Sequence, residues 1–319
     1  MAMIVATSRS SREPLRLVEL PSRPLRPDEL RVRVQAIGVN PVDWKMREGG
    51  PLGTAQRIIG PSGPLVVGID FAGEVVEVGS AVEGPKLGDR VVGGTDFSRN
   101  QRGSYADEVI IRPDQCAELP TSVSFDDAAC LPVAGVTAWR WLEEADIPAK
   151  PGARVLVLGG SGGVGLFALQ LARSYGATVA AVCSARNVPL VTRLGATAID
   201  YNAGDPFEAA ARLGPFDLVL NAMGSAVYPS SACRKLLTAT GLLGLVVVRP
   251  ADYPSLLLSR RTKTLLGKPT RAALEPLVAA LAKGEVEAII EAKFPLAQAE
   301  EAHVRSRAGK VVGKLLLVP

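Results

Sequence analysis

The chain has 319 residues, of which 47% are hydrophobic and 21% charged, with 32 Gly and 24 Pro. That is a globular composition, long enough for about two domains and for a core that needs neither disulfides nor structural metal, and it excludes the disordered and fibrous classes. The net charge of +4 comes from 36 Lys and Arg against 32 Asp and Glu. The densest basic clusters, Arg260, Arg261, Lys263 and then Arg305, Arg307, read more simply as solvated surface than as a nucleic-acid face. Cys116, Cys130, Cys183 and Cys233 are widely separated and form no C-x-x-C pair, as expected of reduced cysteines in a cytoplasmic protein. No apolar run approaches the roughly 20 residues that span a bilayer, and Met1 to Ser10 lacks the basic-then-apolar order of a secretory signal.

In chain order, the first zone, residues 1–124, has the rhythm of short strands. Val32, Val34 and Ala36 alternate with polar neighbours. Phe71 to Val78 and Tyr105 to Ile111 read the same way, separated by Gly-Pro and Gly-Asp turns. Such a series predicts a compact, partly open β-barrel. From residue 125 to 270 the rhythm becomes strand, glycine, helix. Val155 to Leu158 suits a buried parallel strand, and Val164, Phe167, Ala168, Leu171, Ala172 and Tyr175 then recur at helical spacing, with Gly176 as the stop. Val179 to Val182, Phe216 to Ala222 and Leu242 to Val248 are the next strands. This alternation predicts a doubly wound α/β sheet of the Rossmann type. Residues 271–319 read as helix, strand, helix and closing strand, and are expected to fold back on the first zone.

The run Gly160, Ser161, Gly162, Gly163, Val164, Gly165 satisfies G-x-G-x-x-G between a predicted strand and a predicted helix. Glycines there let the backbone turn tightly and approach a pyrophosphate, whose charge meets the helix amino terminus. An NAD site usually carries an acidic residue about 20 residues further on. This chain has no carboxylate between Ala181 and Asn187. Ser184 can donate to a 2′-phosphate and Arg186 can pair with it, which favours NADPH over NADH; the alternative for Arg186 is the exposed start of a helix.

A catalytic zinc needs three Cys, His or carboxylate ligands and a structural zinc four. The single histidine, His303, lies in a helical pattern and reads as a surface residue, and clustered cysteines are absent, so no metal is expected. The Tyr-x-x-x-Lys dehydrogenase arrangement is also missing, since no tyrosine has a lysine four residues later.

Several separated motifs now resemble one family, the zinc-independent quinone oxidoreductase branch, zeta-crystallin-like, of the medium-chain dehydrogenase/reductases. They are AIGVNPVDWKMREG (Ala36 to Gly49), GIDFAGEVVEVG (Gly68 to Gly79) with LGDRVVG (Leu87 to Gly93), GSYADEVII, AACLPVAGVTAW (Ala128 to Trp139), GGSGGVG and the closing GKVVGKLLL. Zinc-dependent relatives place Cys where Asn40 stands and His-Glu where Ile69-Asp70 stand. The resemblance implies a GroES-like catalytic domain (1–124 and 271–319), a Rossmann domain (125–270), an active site in the cleft between them, and a homodimer. It also implies roles. Lys45 would donate to the developing negative oxygen, Asn40 would orient nicotinamide or substrate carbonyl, and Asp43 would pair with Lys45 and keep it charged. Asn40, Pro41 and Asp43 equally make a helix start, with Asn as N-cap, Pro next and an acid in the first turn. Thr137, Tyr201, Ala222, Met223, Gly224 and Lys314 would approach the cofactor by family position, although Thr137 suits helix packing equally. Trp44 and Phe97 would line an apolar pocket or simply fill core. The expected activity is NADPH-dependent hydride transfer to a small-molecule quinone, enone or enal, with no nucleic-acid or membrane partner. An enoyl-thioester reductase and a catalytically silent NADPH-binding sensor or structural protein are the alternatives.

Overall fold

The structure, a computed structural model, describes Ala2–Ala6 and residues 13–319. Met1 and residues 7–12, which carry most of the reading of the amino terminus, lie outside the described residues. The strands of the first part are β1 (Ala2–Ala6), β2 (Leu15–Glu19), β3 (Leu30–Val39), β4 (Leu65–Val66), β5 (Asp70–Val78), β6 (Arg90–Gly94), β7 (Glu108–Ile111) and β8 (Cys116–Glu118). Then follow β9 (Arg154–Leu158), β10 (Thr178–Cys183), β11 (Thr197–Asp200), β12 (Phe216–Asn221), β13 (Leu237–Leu245), β14 (Thr262–Thr264), β15 (Ile290–Pro295) and β16 (Lys314–Val318).

Two compact units result, Met1–Val136 with Lys268–Pro319, and Thr137–Gly267. The first break falls later than the expected 124/125 boundary. The helix Phe125–Ala128 packs on β3 and β5, and the Val133 N–H just beyond donates to Asp70 on β5 at 3.0 Å, so these residues belong to the barrel.

In the first unit the strands run in the order β15-β16-β3-β5-β6-β8, and β7 also pairs with β3. Strand β3 can serve three partners because it is long. Its first half, Leu30 to Arg33, pairs with β7 and its last residues, Ile37 to Val39, pair with β16. The alternation in its sequence works as expected at Arg33 and Gln35, which face out while Val32, Val34 and Ala36 are buried. Ile4, Leu30, Phe71, Tyr105, Ile111 and Leu317 are among the residues of the resulting core. A smaller sheet, β2-β1-β4, adjoins it through a bridge between Met3 and Ala106. This is the GroES-like domain.

The second unit is a parallel sheet in the order β11-β10-β9-β12-β13-β14. Its strands read RVLVL, TVAAVC and FDLVLN, nearly continuous apolar runs that a sheet covered on both faces demands. The reversal of order at β9 is the switch point of a Rossmann fold, beside which ligands bind at the carboxyl ends of the strands. Strand β13 ends at Leu245, earlier than the Val248 expected, and Val246 closes the run by donating to the Asn221 carbonyl.

Candidate functional site

At the carboxyl edge of the parallel sheet, four adjacent strands end in the four turns that the sequence singled out. The turn after β9 holds Gly160 to Gly163, that after β10 holds Ser184 and Arg186, that after β11 holds Tyr201, and that after β12 holds Ala222 to Gly224. The glycines are required by space. A Cβ on Gly165 would stand 2.2 Å from the Gly159 carbonyl oxygen, and one on Gly160 would stand 2.7 Å from the Ala181 Cβ. The positive φ of the turn, 91°, falls on Gly159, one residue before the motif. The helix Gly163–Ser174 follows with Gly162 as its N-cap and no side chain capping it. Its first N–H groups and the positive end of its dipole are therefore available to an anion.

Side chains shape the neighbouring turns. Asn187 Nδ2 donates to Ser161 Oγ at 2.8 Å, tying the β10 turn to the glycine turn. Asn221 Oδ1 accepts from the Met223 and Gly224 N–H groups at 3.1 and 2.9 Å, folding the β12 turn over the end of its strand. Neither Asn187 nor Asn221 is among the site residues the sequence points to; for Asn221 the available signal is an asparagine at the end of a strand, three residues before a loop glycine. Ser184 is half-buried, Arg186, Tyr201 and Met223 are exposed, and Thr137 is buried at the start of this unit. This edge fits a dinucleotide: a backbone cradle too tight for any Cβ at Gly165, beside a serine and an arginine instead of a carboxylate.

The barrel unit brings together a different set of residues. Asn40 caps the helix Pro41–Glu48, and Asp43 in the first turn accepts from the Asn40 N–H at 2.7 Å. Asn40 Nδ2 donates to Asp70 Oδ2 at 2.9 Å and Asn40 Oδ1 accepts from Lys314 Nζ at 2.5 Å, while Lys314 lies 3.1 Å from Asp70 Oδ2. The Tyr105 hydroxyl donates to Asp43 Oδ2 at 3.1 Å and lies 3.1 Å from His303 Nε2. Asn40, Asp43, Asp70, Lys314 and His303 are each no more than 3% exposed. Burial pushes the Asp70 carboxyl up, against the pull of Lys314 and its hydrogen bonds. Burial pushes Asp43 up to about 7, helped by the charge of Asp70. Burial pushes His303 down to about 4, so its ring is neutral at pH 7.

Two expectations are corrected by this arrangement. Asp43 does not pair with Lys45, because residues two apart on a helix point to different sides; Asp43 is buried on Asn40 and Tyr105, while Lys45 is exposed with its ammonium 5.4 Å from the centroid of the Trp44 ring. Burial by its neighbours lowers the Lys45 pKa. Lys314 bonds to Asn40 and Asp70 inside the barrel unit. His303 is buried against Tyr105 rather than on the surface. Asn40 likewise spends both ends of its amide on internal partners. Phe97 lines a small cavity with Asp43, whereas the Trp44 ring carries the Lys45 and Arg307 cations over it and donates to Ser306.

Residues 26–121 match the alcohol dehydrogenase GroES-like domain and residues 194–317 match the zinc-binding dehydrogenase domain. A chloroplast envelope quinone oxidoreductase homolog of Arabidopsis thaliana is 32% identical over 318 residues, covering 95% of this chain and 93% of that protein. The quinone oxidoreductase of Coxiella burnetii has the same fold with a TM-score of 0.89 at 32% identity, covering 100% of this chain and 99% of that one. The Escherichia coli quinone oxidoreductase, solved in complex with NADPH, gives 0.84 at 26% identity with 100% of both chains covered. The chain belongs to the quinone oxidoreductases of the medium-chain dehydrogenase/reductase family, a family of NAD(P)H-dependent oxidoreductases.

The name of the second matched domain implies zinc, and the residues here do not fit it. The ammonium of Lys314 already lies on Asn40 and Asp70, the positions where ligands or their neighbours would stand, and would repel a second cation. Among the described residues no group of three or more His, Cys, Asp and Glu is placed to hold a metal ion.

Proposed function

We propose that this chain is a zinc-independent, NADPH-dependent reductase of a quinone or an α,β-unsaturated carbonyl compound. The observation that carries the cofactor choice is the end of β10, where Ser184 and Arg186 stand beside the glycine turn and no carboxylate does. Gly160 to Gly165 would hold the pyrophosphate through backbone N–H groups, Ser184 and Arg186 the 2′-phosphate, and Tyr201, Thr137 and Ala222 to Gly224 the remainder. The bound cofactor would supply the hydride. Reduction builds negative charge on the acceptor oxygen, and the exposed Lys45 ammonium is the donor proposed to stabilise it, a contribution typically worth about 10² to 10³ in rate. In place of a metal, the Lys314–Asp70 pair with Asn40 keeps the end of β3 and the start of its helix rigid.

The buried, free cysteines support a cytoplasmic setting, and among the described residues no helix is long and apolar enough to cross a membrane. A homodimer is the proposed assembly. It is supported by β14, a short edge strand, next to a helix, Tyr253–Leu258, whose Leu257 and Leu258 are 85% and 87% exposed. The test of the reading is kcat/KM for NADPH against NADH with a simple benzoquinone. A preference for NADPH of at least about tenfold is expected; equal use of the two, or a preference for NADH, would remove the role given to Ser184 and Arg186.

A further inference from the structure

The buried polar chain of the barrel unit ends in an atom without a partner. Asp43 Oδ2 accepts from both the Asn40 N–H and the Tyr105 hydroxyl, but Asp43 Oδ1 is buried and has no hydrogen-bond partner among the described residues. The helix cap accounts for Oδ2 and leaves Oδ1 unexplained. Asp43 also lines a cavity within this unit whose walls include Met46, Gln56, Ile69, Thr95 and Phe97. The cavity has about 20 Å³ of room for water-sized contents, and a single water needs roughly 10–15 Å³.

Among the described residues no cation bonds to Asp43, and Lys314 only draws on it from a distance. Lys314 bonds to Asn40 and Asp70, and Arg47, on the same helix, bonds to Glu300 at 2.7 Å and to the Glu13 carbonyl. Asp70 adds a second negative charge, Tyr105 stays protonated because burial and Asp43 raise it well above its ordinary value, and His303 behind Tyr105 is neutral. A buried carboxyl without a bonded cation holds its proton instead of its charge. With two donors already on Oδ2, the proton belongs on Oδ1, the atom left for whatever fills the cavity.

We propose that Asp43 is a buried proton donor which, through a water held in this cavity, supplies the proton that a conjugated acceptor needs after hydride transfer. This rests on the reductase reading above. The hydride brings an electron pair that forms a bond to the acceptor and breaks a π bond, leaving the pair on the conjugated oxygen. The Asp43 Oδ1–H bond then breaks as a proton passes to the water, and the water gives one of its own protons to the reduced acceptor. NADPH is oxidised, the acceptor is reduced, and the Asp43 carboxylate regains its proton from bulk water.

Asp43→Asn in the full chain is the test. Asparagine can keep its carbonyl on Asn40 and Tyr105 while turning an amide, which has no proton to give, toward the cavity. With a benzoquinone as acceptor, kcat of the unaltered protein should fall as pH rises through about 7. In the variant kcat should drop by about 10²-fold or more and lose that limb, with KM for NADPH little changed. Infrared spectra of the unaltered protein should show a protonated carboxyl band about one unit below pH 7 that is lost about one unit above it and is missing from the variant. A variant with unchanged kcat and the same limb overturns the role of Asp43 and leaves the reductase reading standing. Absence of turnover in the unaltered protein overturns both. Should the variant not fold, the infrared titration decides alone: a carboxyl band that does not change across that range overturns the proposal.

Discussion

The two units build their sites from different materials. In the parallel-sheet unit the site is mostly backbone: glycines that admit close approach, uncapped N–H groups, and turns that leave adjacent strands. In the barrel unit it is a knot of side chains from five distant segments, Asn40 and Asp43, Asp70, Tyr105, His303 and Lys314, none of which has a defined chemistry without the others. The first kind of site tolerates change away from its glycines and fails locally. The second is buried, charged and mutually dependent, so that removing one member exposes another.

The largest effect is expected in the knot. Lys314→Met removes the cation bonded to Asp70, and breaking a buried pair from one side should lower stability by about 3–5 kcal/mol, read as a shift of the denaturation midpoint. Glu300 and Arg47, which pair outside the knot, should be unaffected in their contribution.

His303 comes next. Its folded value of about 4 lies below the usual 6.5, so its contribution is present above pH 6.5 and is lost as pH falls toward 4. That loss is at most about 3 kcal/mol, at 1.36 kcal/mol per unit. Asp43, raised from 3.8 to about 7, acts in the opposite sense, its stabilisation being lost as pH rises through about 7. Between pH 6.5 and 4 the two oppose each other, so acidification over that range should stabilise His303→Gln relative to the unaltered protein, by up to about 3 kcal/mol. The same pH dependence in both proteins would mean the ring is charged in the fold.

In the sheet unit the effects are smaller and concern binding. Arg186→Ala should weaken NADPH by about 1.5–3 kcal/mol, the range for hydrogen bonds to charged groups, and leave NADH unchanged in a fluorescence titration. Gly165→Ala forces a Cβ to within 2.2 Å of a backbone oxygen and should cost roughly 1–3 kcal/mol, with weaker binding of NADPH and NADH alike. An equal loss for both cofactors in Arg186→Ala would sink the assignment of that residue.

How much of this was legible in the sequence follows the same division. The Rossmann turns could be read because their signals are local: a run such as VLVL, then glycines, then helical spacing of apolar residues, with Gly160 to Gly165 named in advance. The helix start at Asn40, Pro41 and Asp43 was legible for the same reason. The knot was not. His303 reads as surface from the sequence because a helical pattern does not say which face meets Tyr105, 198 residues away in the chain. The Gly-Lys pair implies a cofactor role for Lys314, and nothing in a strand's sequence announces that its first side chain will also meet Asp70. Pairing Asp43 with Lys45 failed on geometry that the sequence did contain, because two residues on a helix turn the side chains to different sides.

The central claim, a reductase that works without zinc, is tested most directly by following NADPH oxidation with a panel of a benzoquinone, an ortho-quinone, a 2-alkenal and a crotonyl thioester, with and without a metal chelator. Chelator-insensitive turnover of a quinone or the alkenal is the predicted result, with the thioester slower. Turnover that the chelator abolishes and added zinc restores would contradict the account, as would tight binding of NADPH with every acceptor left unreduced.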